Sequence, residues 1–177
     1  MNSNDFPNVA YIVVPSFDET SPKDPTVGHE LASALVFALM KSKHWNDSVF
    51  IIMYSESGGW YDHVSPPKID GKSYGFRVPA LVISPFAKKG FVDSTLYDVT
   101  SILKFIEYNY ALSPITKRDA AANNMFNSFD FTIPPGKPLY IEKISRERLL
   151  TKSDDVNGIN IVYFFTLLAP IVVTIIW

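Results

Sequence analysis

The feature that most restricts the fold of this 177-residue chain is the apolar run Ser48-Val-Phe-Ile-Ile-Met-Tyr54. It is continuous rather than alternating and rich in β-branched residues, which is typical of a strand that is buried on both faces. A polar segment, Ser55 to Pro67, follows at once and contains acids, a histidine and a Gly-Gly pair. Because open α/β sheets place their sites at the carboxyl ends of buried strands, we expect a functional site here.

Strand and helix patterns alternate on both sides of this run. Residues 9–14 and 80–84 are predicted as strands, and residues 27–43 and 99–110 as helices, the second capped by Asp98. Successive strand, helix and strand favour parallel pairing, so the predicted fold class is α/β, with a mostly parallel sheet flanked by helices. The predicted inward stripe of the first helix consists of Leu31, Ala34, Leu35, Ala38 and Leu39, and Val36, Phe37 and Met40 widen it, so the helix is expected to be well covered.

Composition excludes some classes of function. The formal net charge is −2 and the pI is near 5.9, so the chain has no basic footprint for nucleic acid. The chain contains no cysteine, which excludes disulfides and thiolate metal sites.

The polar segment resembles a known family signature. Glu56, Gly58-Gly59, Asp62-His63-Val64 and Pro66-Pro67 are similar to the Asp-Glu-x-Gly-Gly-x-x-Asp-His-Val-x-Pro-Pro signature of the bacterial and archaeal phosphoesterase family. That family holds phospholipases C and related acid phosphatases, within the alkaline-phosphatase-like superfamily. Residues 74–86 and 97–107 match further family blocks in the same order, and the resemblance covers residues 8–132. It implies an alkaline-phosphatase-like fold and metal-assisted hydrolysis of phosphoric esters.

The residue types in the segment suit that chemistry. Divalent metals neutralise the charge of phosphate esters and activate an oxygen nucleophile, and they take oxygen or imidazole ligands. Glu56 is therefore the first candidate ligand. Ser55 stands where the family has an acid, so it would ligate weakly or hold a metal-bound water. His63 could ligate metal or protonate the leaving alkoxide, while Asp62 fixes a loop or a tautomer. Arg77 could bind phosphate through two hydrogen bonds, or form a surface ion pair.

Other readings of the same residues remain open. Ser55 or Ser57 with His63 could form a serine hydrolase, although the segment lacks the Gly-x-Ser-x-Gly elbow. Family members often carry a histidine before the proline of the loop after the first strand, where this chain has Thr20 or Ser21. A truncated remnant that is catalytically inactive and only binds a phosphorylated ligand is the alternative from another class.

The two ends of the chain suggest further expectations. Residues 156–177 carry no charge, and as a helix they would span roughly 33 Å, about a bilayer core. We therefore expect a transmembrane segment that is itself truncated; the other reading is a buried terminal helix or strand. The resemblance also implies truncation at the front, because in the family an N-terminal half supplies the nucleophile and an Asn-bearing metal motif, and we expect that half to be missing here.

The predicted organisation follows from these points. Residues 1–132 form the C-terminal part of a phosphoesterase catalytic domain, residues 133–155 a linker, and residues 156–177 the anchor. The expected cofactor is a divalent metal ion. The expected partners are a phospholipid or small phosphomonoester and a membrane, with the single-pass protein exposing its catalytic domain outside the cytoplasm.

Overall fold

The computed structural model describes residues 6–13, 26–69, 71–140 and 171–176. Three helices, α1, α2 and α3, and six strands, β1 to β6, make up the regular structure of these ranges, together with 3₁₀ turns at Trp45–Asp47 and Phe126–Ser128. In chain order they are β1 (Val9–Val13), α1 (Thr26–Met40), β2 (Ser48–Met53), β3 (Lys68–Ile69), β4 (Lys72–Ser73), β5 (Ala80–Ile83), α2 (Val99–Asn109), α3 (Lys117–Ala121) and β6 (Ile171–Ile176).

Strand β2 is the centre of the fold, and all six of its residues are buried. Its alternate side chains point to opposite faces, where they join two separate hydrophobic clusters. Val49, Ile51 and Met53 pack with α2, while Phe50 and Ile52 pack with α1. Helices therefore cover both faces of the sheet, and the predicted α/β class is confirmed.

Helix α1 buries only part of its predicted stripe, together with two of the residues expected to widen it. Ala34 and Ala38 are exposed, whereas the side chains packed toward β2 are Ala32, Leu35, Val36, Leu39 and Met40. This stripe has the same i, i+3, i+4, i+7, i+8 spacing, turned around the helix by one residue. The helix is apolar on most of its circumference, so spacing alone did not determine which side faces the sheet.

The predicted parallel pairing is wrong, because every strand pair of the described residues is antiparallel. The four-stranded sheet has the order β1-β6-β2-β5, and β3 and β4 form a separate hairpin. Strands β1 and β2 do run in the same direction, as a strand-helix-strand unit requires. However, β6 lies between them and pairs with both, so their backbone hydrogen bonds go to β6 instead of to each other.

The prediction of a transmembrane helix at the C-terminus is also wrong for the residues that the structure describes. Residues 171–176 form strand β6 rather than the end of a membrane-spanning helix, consistent with their β-branched composition, Ile-Val-Val-Thr-Ile-Ile. In the described ranges, no helix has the length and apolar character needed to cross a bilayer. The rest of the predicted anchor, residues 156–170, lies outside the described residues.

Residues 133–140, which begin the predicted linker, contact the body of the fold. The indole Nε1 of Trp45 donates to the carbonyl of Gly136 at 2.8 Å, and the N–H of Gly136 donates to the carbonyl of Pro85 at 2.9 Å. The ring of Tyr140 stacks on Phe37 with centroids 5.8 Å apart. The remainder of that predicted linker, residues 141–155, lies outside the described residues.

Candidate active site

The predicted functional segment lies in the connection between β2 and β5. Met53, the last residue of β2, pairs with Ala80, the first residue of β5. The 26 residues from 54 to 79 therefore leave and re-enter the sheet at a single edge. This register explains how residues distant in sequence meet above the end of β2.

A glycine turn folds the start of this connection back on itself. Gly58 and Gly59 have φ values of 57° and 82°, in the left-handed region that glycine adopts without strain. The N–H of Trp60 donates to the carbonyl of Ser57 at 2.9 Å and closes the turn. The Gly-Gly turn predicted from the sequence is thus present, and it redirects the chain toward Asp62.

Asp62 and Arg77 form a two-bond ion pair across the connection. Arg77 Nε donates to Asp62 Oδ2 at 2.6 Å, and Arg77 Nη2 donates to Asp62 Oδ1 at 2.9 Å. The side chain of Asp62 is 13% exposed and that of Arg77 is 61% exposed. The backbone N–H of Val64 adds a third hydrogen bond to Asp62 Oδ1, at 3.1 Å.

The ion pair fixes the charge of both groups. Hydrogen bonds from Arg77 hold the pKa of Asp62 well below its usual range, and they raise the pKa of Arg77. Asp62 is therefore ionised throughout the neutral range and is poorly suited to carry a proton. Its geometry suits the orientation of Arg77 and of the loop that follows.

His63 lies beside this pair and faces solvent. Its Nδ1 is 3.6 Å from Asp62 Oδ1, which is longer than a hydrogen bond. The imidazole is 84% exposed, so a ligand bound against Arg77 could reach it. The structure thus brings together three of the predicted site residues, Asp62, His63 and Arg77.

The two predicted metal ligands, Ser55 and Glu56, lie at the end of β2 with exposed side chains. In the parts of the chain that the structure describes, no group of three or more histidine, aspartate or glutamate side chains is arranged to hold a metal ion. Divalent metals in proteins take more ligands than one carboxylate and one hydroxyl supply. The described residues therefore do not fit a complete metal site. Thr20 and Ser21 lie outside them.

A second polar cluster, which sequence reasoning missed, lies beside the connection. The hydroxyl of Tyr74 donates to Asp98 Oδ2, and Arg118 Nη2 donates to the same oxygen at 3.1 Å. The guanidinium of Arg118 also lies over the Tyr74 ring, 4.6 Å from its centroid. Only the role of Asp98 as the cap of α2 had a local sequence signal, and the structure confirms it.

A surface depression of about 420 Å³ lies elsewhere, lined by Tyr108, Asn109, Phe126 and Phe131. These residues belong to α2 and to the region of the second 3₁₀ turn. None of them is a predicted site residue, so the depression is separate from the candidate site.

Comparison with known proteins assigns the family. The model of the Phosphoesterase family matches residues 1–113, which include β2, the polar connection, β5 and α2. The chain belongs to the phosphoesterase family. The resemblance seen in the signature Glu56 to Pro67 is thereby confirmed.

Curated relatives of this phosphoesterase chain are phospholipases C. The non-hemolytic phospholipase C of Pseudomonas aeruginosa is 29% identical, over 77% of this chain and 25% of its own length. Phospholipase C A of Mycobacterium tuberculosis is 28% identical, over 76% of this chain and 32% of its own length. Non-specific phospholipase C6 of Arabidopsis thaliana is 31% identical, over 62% of this chain and 26% of its own length. The chain thus spans about a quarter to a third of the length of these relatives.

Proposed function

We propose that this phosphoesterase chain is part of a phosphoric ester hydrolase of the phospholipase C and acid phosphatase type. The observation that carries the proposal is the group formed by Asp62 and the exposed Arg77 and His63, which lies within the family match and in the connection that follows β2. A phospholipid or a small phosphomonoester is the substrate class. An extracytoplasmic location belongs to the same proposal, and protease accessibility on intact cells would test it.

Arg77 is the group we assign to the phosphoryl oxygens. A guanidinium has five N–H donors, and the pair with Asp62 uses two of them. Its remaining donors can bind an anion while Asp62 keeps the plane of the guanidinium fixed. Because the side chain of Arg77 is 61% exposed, an incoming phosphoester can reach it without rearrangement of the loop.

His63 is the group we assign to proton transfer. The net reaction joins the oxygen of water to phosphorus and breaks the P–O ester bond, and an imidazolium next to the leaving alkoxide can supply the proton that its oxygen needs. His63 Nδ1 is 3.6 Å from Asp62 Oδ1, the oxygen that accepts a hydrogen bond from Arg77 Nη2, so an ester held by Arg77 would lie near the imidazole. Asp62 acts as a positioning group in this scheme, because its ionised carboxylate is occupied by Arg77 and Val64.

The proposal includes one candidate metal ligand, Glu56, and no complete metal site. Glu56, with Ser55 beside it, lies exposed at the end of β2, where a carboxylate could contribute to a site completed by other groups. Since the described residues do not form that site, we derive no step of the reaction through a metal. A chelator experiment decides whether Glu56 has this role.

The test is hydrolysis of p-nitrophenyl phosphate and of its phosphorylcholine ester by the full-length protein. We expect Arg77→Ala to raise KM by about 10- to 100-fold, as for loss of a charged hydrogen bond, and His63→Ala to lower kcat by about 100-fold or more. Lys89→Ala, which removes an exposed cation outside the site, is the matched control. If Arg77→Ala and Lys89→Ala give the same kinetics, the assignment of Arg77 is wrong.

A second candidate function is binding of a phosphorylated ligand without turnover. The incomplete metal ligand set of the described residues favours it. It predicts that phosphate or phosphorylcholine binds in calorimetry, that Arg77→Ala abolishes the binding, and that no ester is hydrolysed with or without added divalent metal. Chelator-sensitive hydrolysis that is lost in Glu56→Ala would exclude this candidate and support Glu56 as a ligand.

A further inference from the structure

The hairpin that precedes Arg77 is too small to be stable alone. Strands β3 and β4 have two residues each, paired as Lys68 with Ser73 and Ile69 with Lys72. The N–H of Tyr74 donates to the carbonyl of Pro67 at 3.0 Å and closes the base of the hairpin. Isolated two-stranded hairpins are marginal in water even when they are longer. The position of this one must therefore depend on contacts with the rest of the fold.

Tyr74 supplies such a contact at the base of the hairpin. Its hydroxyl donates to Asp98 Oδ2, and Arg118 binds the same oxygen while covering the ring of Tyr74. A cation over an aromatic face and a charge-assisted hydrogen bond add to one another here. We call these three residues, Tyr74, Asp98 and Arg118, the tyrosine clamp.

Asp98, the centre of the clamp, is itself rigidly held. Its second oxygen, Oδ1, accepts hydrogen bonds from the N–H of Thr100 at 2.7 Å and from the Thr100 hydroxyl at 2.5 Å. Its own N–H donates to Ser101 Oγ at 3.2 Å, which completes a capping box at the start of α2. Burial acts to raise the pKa of Asp98, but hydrogen bonds from Thr100, Tyr74 and Arg118 lower it to about 2.

The clamp lies three residues from the candidate site. Tyr74 is followed by Gly75, Phe76 and Arg77, so the anchored end of the hairpin leads directly into the guanidinium that binds Asp62. Neither Asp62 nor Arg77 is buried in the hydrophobic core, and both lie on the same irregular connection. The clamp joins this connection to α2 and α3, which pack against each other in the body of the fold.

We propose that the tyrosine clamp positions the Asp62–Arg77 ion pair, with Tyr74 as its decisive member. Loss of the Tyr74 hydroxyl frees the base of the hairpin from Asp98, and Arg77 then samples orientations that break one or both of its bonds to Asp62. The proposal rests on the proposed function for its consequence in catalysis. The positioning itself can be measured on the ion pair without substrate.

The test compares Tyr74→Phe with the unchanged protein by NMR. We expect the Nε–H of Arg77 to exchange with solvent roughly 3- to 10-fold faster, as for loss of one hydrogen bond, and the pKa of Asp62 to move up toward its ordinary value. Tyr108→Phe is the matched control, because it removes a hydroxyl from a tyrosine that is 66% exposed and outside the clamp. Unchanged exchange at Arg77 and an unchanged pKa of Asp62 in Tyr74→Phe would overturn the proposal.

A double-mutant cycle separates positioning from general loosening of the fold. In an Arg77→Ala background, Tyr74→Phe should leave the pKa of Asp62 unmoved, because the clamp acts on Asp62 only through Arg77. If Tyr74→Phe shifts the pKa of Asp62 equally with Arg77 present and with Arg77→Ala, the proposal is wrong. Arg118→Met, which keeps Tyr74 and Asp98, should give a smaller change of the same sign, and it replaces Tyr74→Phe should that variant fail to fold. Absence of ester hydrolysis would refute the proposed function but leave these measurements intact.

Discussion

Glu107 of α2 and Asp119 of α3 form a pair of buried carboxyl groups, 5% and 0% exposed. Asp119 accepts hydrogen bonds from the N–H groups of Ile115 at 2.8 Å and Thr116 at 2.7 Å. Oxygen Oε2 of Glu107 is buried and meets no donor in the described part of the chain. A protonated Glu107 resolves this, because its O–H can donate to Asp119.

Because the two carboxyl groups interact, the pKa of Glu107 and the pKa of Asp119 move in opposite directions. Burial, and then the hydrogen bond to Asp119, raise the pKa of Glu107. Hydrogen bonds from Thr116, and then from Glu107, lower the pKa of Asp119. Protonation is therefore favoured at Glu107 and ionisation at Asp119, as expected for two closely spaced carboxyl groups. Lys104, whose Nζ donates to the carbonyl of Ala120 at 3.0 Å, is a nearby cation that opposes the rise at Glu107.

Glu107→Gln should reduce the dependence of stability on pH. The unfolded chain releases the Glu107 proton near the ordinary pKa of 4.5, whereas the folded chain retains it to higher pH. Stability is therefore lost as pH rises from that value through the folded pKa, and the urea midpoint should fall over that range. The amide that the substitution introduces cannot ionise but still donates to Asp119, so the midpoint of the variant should fall less over this range. The lowered pKa of Asp119 acts below this window.

Glu30→Gln is the matched control for this titration, because Glu30 is exposed on α1 and the substitution makes the same change of charge. Its urea midpoint should follow that of the unchanged protein at both ends of the pH range. Parallel pH profiles of Glu107→Gln and the unchanged protein would show that Glu107 does not hold a proton in the folded state.

At the scale of elements, α2 packs into the core through the aromatic side chain of Phe105. This residue is 0% exposed, and its ring lies 5.3 Å from that of Phe126 and 5.2 Å from that of Phe129. Phe105→Ala should lower the free energy of unfolding by about 3–5 kcal/mol, the usual cost of removing a buried aromatic ring. Urea denaturation measures this cost.

Tyr108→Ala on the same helix provides the comparison for Phe105→Ala. Tyr108 is 66% exposed, and its ring makes an edge-to-face contact with Phe126, with centroids 4.5 Å apart. Its truncation should cost about 0.5–1.5 kcal/mol, as expected for one aromatic pair. Similar costs for the two substitutions would show that the core cluster around α2 does not depend on Phe105.

How well an element could be predicted depended on how strongly its side chains distinguish its two sides. Strand β2 was predictable because six consecutive apolar or small residues leave no exposed face. Helix α2 was predictable because Asp98 caps it and Ile102 and Phe105 mark one buried side. The buried side of α1 was displaced by one residue, because apolar residues occur around most of that helix.

At the scale of the whole molecule, the contacts and strand pairings between distant segments could not be predicted from the sequence. Asp62, His63 and Arg77 were each identified as candidates, but the Asp62–Arg77 bond depends on the antiparallel register of β2 and β5. The tyrosine clamp joins residues 74, 98 and 118, which share no local pattern. The prediction of a parallel sheet is wrong because the sequence pattern assigns residues 171–176 to a membrane helix, whereas they form a strand between β1 and β2.

The position of β6 makes a prediction about the whole sheet. Val173 pairs with Tyr11 on one side and Ile51 on the other, so its backbone lies in the interior of the sheet. Proline lacks an N–H and is confined to edge strands. Val173→Pro should therefore lower amide protection in both β1 and β2, by roughly tenfold or more where a hydrogen bond is lost, in hydrogen exchange. Val92→Pro, at a position 85% exposed and outside the sheet, should leave both strands protected. If the amides of β1 and β2 stay as protected from exchange in Val173→Pro as in the unchanged protein, β6 does not lie between these strands.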